Sequence, residues 1–172
     1  MKRRLFFAIY PDAATRRELA AAAKPFLTEG KPSPAGNLHL TLAFIGMADQ
    51  SYQDCLESKA ALTPAPRPFT IQIDRAGHFR RARSLWLGPG HAPTELMALY
   101  DALTAAIQPC GYALEPRSYT PHITVARKYR GQASCELARP VDFTVDSFCL
   151  MESVSTDAGV QYKSLRRFGF SD

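Results

Sequence analysis

Tryptophan occurs once and cysteine only four times in 172 residues, and no stretch of the chain is apolar for long. The longest clean run, Leu5 to Tyr10, falls far short of the ~20 residues a membrane-spanning helix needs. Met1-Lys2-Arg3-Arg4 ahead of it imitates the start of a secretion signal. The run stops at Pro11-Asp12, however, and no cleavage-type segment follows. No membrane partner and a cytoplasmic location are expected. Cys55, Cys110, Cys135 and Cys149 contain no Cys-x-x-Cys pair, and no histidine stands at metal-finger spacing from them. Free thiols in a reducing compartment are expected. Glycine-rich dinucleotide and P-loop fingerprints are missing, which argues against those nucleotide folds. No carboxylate cluster with Mg²⁺ spacing is visible.

What is present is the composition of an ordinary globular protein, with 46% hydrophobic and 22% charged residues. One two-lobed domain over 1–172 is expected. The net charge is +5, and it is uneven: residues 1–86 hold six more cations than anions, residues 87–172 one fewer. A basic half is compatible with a polyanionic ligand and equally with none.

Hydrophobic patterning predicts a mixed order, β α β α β β α β β β. Arg4 to Ile9 reads as a buried strand. Asp12 caps a helix with Leu19, Ala22, Ala23 and Phe26 inward, ended by Pro25. Gly30 to Gly36 reads as loop, Leu38 to Ile45 as a strand closed by Gly46, and Asp49 to Leu62 as a helix with Tyr52, Cys55 and Leu56 inward. Pro64-Ala65-Pro66 is a break. Strands follow at Phe69 to Ala76 and Ser84 to Leu87. The helix opened by Pro93 carries Leu96, Leu99, Tyr100, Leu103, Ala106 and Ile107 at helical spacing. Ile123 to Ala126, Val141 to Glu152 and Tyr162 to Phe170 are the last strands, the final two joined across Asp157-Ala158-Gly159.

Two of these strands share a motif. His39-Leu40-Thr41-Leu42 and His122-Ile123-Thr124-Val125 both read His, aliphatic, Thr, aliphatic, 83 residues apart, close to half the chain. Because side chains alternate along a strand, each copy sets an imidazole and a hydroxyl on one face and two aliphatic groups on the other. Two copies related by a twofold would bring four such groups into one cleft. So short a match can also arise by chance, and a strand histidine is often only a satisfied polar residue.

With its two His-x-Thr-x tetrapeptides the chain resembles the two-histidine phosphoesterases, and within them the RNA 2′,3′-cyclic phosphodiesterases, also called LigT-like or 2′-5′ RNA ligases. Arg4 to Ile9, Phe44-Ile45-Gly46, Leu85-Trp86-Leu87-Gly88 and Pro121 to Arg127 carry the likeness further, over nearly the whole chain. The resemblance implies an α+β fold of two lobes with pseudo-twofold symmetry, two antiparallel sheets facing across a central cleft and helices outside. It implies hydrolysis of a terminal 2′,3′-cyclic phosphate on RNA, or on a 2′,3′-cyclic nucleotide, to a 2′-phosphate. His39 is then the proton donor, His122 the proton acceptor, and Thr41 and Thr124 the phosphate-oxygen donors. No cofactor or metal is expected, and the chain is expected to act as a monomer.

The chemistry suits those residues. Opening a cyclic phosphodiester needs an activated water on one side and a protonated leaving oxygen on the other, and imidazoles titrate near neutrality. The resemblance also gives substrate contacts five residues past each histidine, at Phe44 and Arg127. Strict alternation sends those positions to the opposite face, so each strand must end or bulge first. Phe44 either stacks on a base or packs in the core; Arg127 either forks onto a phosphate or is a surface charge. Arg80, Arg81 and Arg83 are either an RNA-backbone track or a solvated turn. His78 and His91 read as solvated. The same cleft run backwards would join ends by a 2′-5′ link. Its residues would also suit a non-catalytic RNA-end binding protein, or a phosphoesterase for a small cyclic nucleotide.

Overall fold

The computed structural model describes residues 1–64 and 66–170, so Ala65, within the expected Pro-Ala-Pro break, lies outside the described residues. Strand β1 (Arg3–Ile9) leads into α1 (Ala13–Ala23), the two-residue β2 (Lys31–Pro32) and β3 (Leu40–Ala48). Helix α2 (Gln50–Ala61), strands β4 (Phe69–Phe79) and β5 (Ser84–Gly88) and helix α3 (Thr94–Ile107) follow. Strands β6 (Ile123–Arg127), β7 (Cys135–Val145), β8 (Ser147–Thr156) and β9 (Gly159–Gly169) complete the order.

The strands run β7-β4-β5-β6-β3-β1-β8-β9, with β2 added beside β6, and neighbouring strands are antiparallel. Two four-stranded halves are visible in that order. The motif strands β3 and β6 meet at the centre, and one register pair, Leu40 with Ile123, joins the halves. The two expected sheets are thus halves of one sheet, continuous at a single pair.

Local chemistry sets the helices. Asp12 accepts from Thr15 N–H at 2.7 Å and starts α1; Asp49 accepts from Tyr52 N–H at 2.8 Å and starts α2. Pro25 converts the end of α1 into a 3₁₀ turn over Lys24–Phe26. Helix α3 buries Leu96, Leu99, Leu103 and Ile107 completely, each worth about 2 kcal/mol of hydrophobic stabilisation. It packs beside α2 and on β3, while α1 lies on β7.

Three expectations need correction. The segment Val141 to Glu152 is not one strand: Asp146 divides it, and β7 and β8 lie far apart in the sheet. Asp146 O accepts from Phe170 N–H at 2.8 Å, so the break is held from the last strand. The loop at 30–36 contains β2, whose Lys31 pairs with Arg127. Finally, Cys55 and Cys110 are not free thiols. They form a disulfide across 55 residues of sequence, Cα–Cα 5.8 Å, between α2 and the turn after α3. Only the packing of α2 on α3 brings them together, and no spacing rule signals it. Cys135 and Cys149 are free.

Candidate active site

The central register pair places the four motif side chains. Leu40 and Ile123 are fully buried beneath the sheet, so His39, Thr41, His122 and Thr124 face the other way. Antiparallel pairing about Leu40 and Ile123 sets His39 across from Thr124 and Thr41 across from His122. The cleft reflects this crossing. A cavity of about 620 Å³ has Thr41 and His122 in its wall, and one of about 280 Å³ has His39 and Thr124.

Both imidazoles are held alike. His39 Nδ1 lies 2.7 Å from the carbonyl of Asn37, and His122 Nδ1 lies 2.8 Å from that of Thr120. A carbonyl only accepts, so Nδ1 carries the proton in each ring and Nε2 is left for the cleft. Thr41 Oγ1 sits 3.1 Å from His39 Nε2. Aromatic rings wall each histidine: Phe6 and Tyr162 lie within 5 Å of His39, ring to ring, and Phe79 stands edge-on to His122 at 4.8 Å. Burial among them pushes both histidines below their ordinary pKa, against the pull of the carbonyl partners. The charges of Arg127 and His122 depress His39 further.

The position five residues past each histidine reaches the cleft by the same device on both strands. Between Phe7↔Ala43 and Ala8↔Thr41 the register of β1 on β3 slips by one residue, at Leu42. Between Leu85↔Ala126 and Trp86↔Thr124 that of β5 on β6 slips at Val125. Leu42-Ala43 and Val125-Ala126 are consequently buried in succession, and alternation restarts with Phe44 and Arg127 outward. Phe44 is 49% exposed, lines the larger cavity and carries the Arg4 guanidinium 4.9 Å above its ring. Arg127 lines the smaller cavity, where its Nη2 donates to the Tyr162 hydroxyl at 3.3 Å.

Some members of the cleft have no sequence signal near the motifs. Tyr162, on β9, touches both His39 and Arg127. Tyr119 stacks on Tyr100 at 4.0 Å and donates to the carbonyl of Thr41 at 2.8 Å. His78 is not a solvated loop residue: it is half-buried on β4, its Nδ1 2.9 Å from the Ala133 carbonyl, and it lines the larger cavity. His91 is exposed. Among the described residues no group of three His, Cys, Asp or Glu could hold a metal ion.

The family model of the 2′-5′ RNA ligase superfamily matches residues 11–157. The chain belongs to that superfamily. It is 33% identical to the RNA 2′,3′-cyclic phosphodiesterase of Escherichia coli strain K12 over 98% of this chain and 97% of that protein. It is 37% identical to the RNA 2′,3′-cyclic phosphodiesterase of Bacillus subtilis strain 168, over 66% of this chain and 63% of that one. The crystal structure of E. coli LigT complexed with 3′-AMP superposes with a TM-score of 0.91 at 29% identity, covering both chains fully. As a 2′-5′ RNA ligase superfamily member, the chain carries both His-x-Thr-x motifs intact, at 39–42 and 122–125.

Proposed function

We propose that this chain is an RNA 2′,3′-cyclic phosphodiesterase that opens a terminal cyclic phosphate to a 2′-phosphate. The observation that carries the reading is the antiparallel meeting of the two motif strands at Leu40 and Ile123, which puts two imidazoles and two hydroxyls on one face of the sheet. His122 Nε2 takes a proton from water, and the water oxygen attacks phosphorus. The bond from phosphorus to O3′ breaks, and His39 Nε2–H delivers its proton to O3′. Thr41 and Thr124 donate to the non-bridging oxygens, Arg127 neutralises their charge, and Phe44 stacks on the base.

With Nδ1 already donating to a carbonyl, His39 as acid is an imidazolium, and an arriving phosphate monoanion offsets the burial that disfavours that form. The same groups give 2′-5′ ligation when a 5′-hydroxyl replaces water: His122 takes the hydroxyl proton, its oxygen bonds to phosphorus, and O3′ leaves with the proton from His39. The reading takes 1–172 as one unit working as a monomer on RNA ends. No described helix is long and apolar enough to cross a membrane.

The test is turnover of 2′,3′-cyclic AMP in excess chelator. The side chains supply acid, base and oxyanion donors, so activity survives. Loss in chelator, restored by Mg²⁺ or Zn²⁺, contradicts the mechanism. Stoichiometric binding of cyclic-phosphate RNA without turnover would favour a non-catalytic RNA-end binding protein.

A further inference from the structure

We propose that a basic basin beside the cleft, formed by Arg80, Arg83 and Arg130, binds the phosphodiester backbone of the RNA behind the reacting end. The proposal rests on the RNA-end reading above. The basin is a cavity of about 730 Å³ between the turn joining β4 to β5 and the segment after β6. It shares His78 and Arg80 with the wall of the larger cleft cavity, so the two adjoin. On that side its lining starts at Tyr129, two residues beyond the end of β6 and five past Thr124.

The basin is built rather than incidental. Arg83 N–H donates to the Arg80 carbonyl at 3.3 Å, and Tyr129 N–H donates to that of Arg83 at 2.9 Å, locking turn to segment. Arg83 and Lys128 hold left-handed backbone, φ 50° and 54°, which brings the two pieces face to face. The Tyr129 hydroxyl accepts from Ala133 N–H at 3.3 Å, and a Cβ on Gly131 would collide with that oxygen.

The charge is unbalanced. No carboxylate lines the basin, and among the described residues none of the three arginines is in a salt bridge. Three exposed guanidiniums around one hollow repel each other, and a run of phosphates relieves that repulsion while releasing counterions. Tyr129 is buried and its hydroxyl is taken up by Ala133 N–H, so the exposed guanidiniums dominate the lining. The hollow therefore reads backbone and not sequence.

The experiment compares an oligoribonucleotide ending in a 2′,3′-cyclic phosphate with 2′,3′-cyclic AMP, using Arg83→Asn/Arg130→Gln. Asparagine tolerates the left-handed backbone. The expected result is a KM for the oligonucleotide raised on the order of 10-fold whatever its sequence, with the cyclic mononucleotide turned over as before. The salt dependence of oligonucleotide affinity should flatten by a log–log slope of about 1.4, two phosphates' worth. An unchanged oligonucleotide KM, equal losses for both substrates, or an acidic peptide held as tightly as the RNA would overturn the proposal. Anisotropy of a labelled oligonucleotide reads the basin without turnover. A wild type that binds RNA through it but leaves 2′,3′-cyclic AMP intact overturns the activity reading alone.

Discussion

The proposed mechanism puts a shared demand on His39 and His122: one must start protonated and the other neutral, although burial depresses both. A lowered pKa means each ring needs a more acidic solution to take up its second proton. The kcat/KM profile is therefore expected to be a bell centred on the acid side of ~6.5, reporting the pair and not either residue. An optimum on the alkaline side contradicts this. Replacing either histidine by Ala should cost on the order of 10²–10⁴ in rate. Tyr162→Phe keeps the ring that walls His39 but removes the hydroxyl that accepts from Arg127. It should weaken substrate binding a few-fold, the worth of about 1 kcal/mol for one hydrogen bond, with the pH profile unmoved. A shifted bell would mean that the hydroxyl also sets the histidine's protonation.

Among the elements, the paired bulges explain why part of the site was legible and part was not. The His-x-Thr repeat follows directly from strand period, and so did the need for a break before Phe44 and Arg127. Where that break falls depends on the neighbouring strands β1 and β5, which no local pattern encodes. The same holds for Asp146: Val141 to Glu152 alternates well enough to read as one strand, and only the pairing of β7 and β8 on different halves divides it. Long-range packing likewise made the Cys55–Cys110 disulfide invisible. That bond closes a loop of 55 residues and ties α2 to the segment leading to Tyr112 and Tyr119 in the cavity wall. By the chain-entropy model its removal costs up to about 4 kcal/mol. Cys55→Ser/Cys110→Ser should melt several degrees below the oxidised wild type and match wild type in reductant. Equal melting temperatures in oxidised and reduced samples would show that the bond does not hold these elements.

At the scale of the molecule, the two half-sheets end in β7 and β9, the outer strands. Each is guarded. Arg139 and Pro140 interrupt β7, and Lys163, Arg166 and Arg167 line β9. Charge and proline at an edge oppose strand addition by a second copy. Sedimentation is expected to give about 19.0 kDa at all concentrations, and a mass that doubles with concentration contradicts the monomer.

The pseudo-twofold makes the catalytic halves nearly equivalent, so the direction of opening must come from what breaks the symmetry. Phe44 beside His122 and Arg127 beside His39 are the unlike groups, and the proposed mechanism gives them the task of orienting the ribose. The decisive measurement is the isomer released from 2′,3′-cyclic AMP, assigned by phosphorus NMR. The account predicts 2′-AMP, with His39 protonating O3′; a predominantly 3′-phosphate product would reverse the two histidines, and an even mixture would show that Phe44 and Arg127 do not hold the sugar.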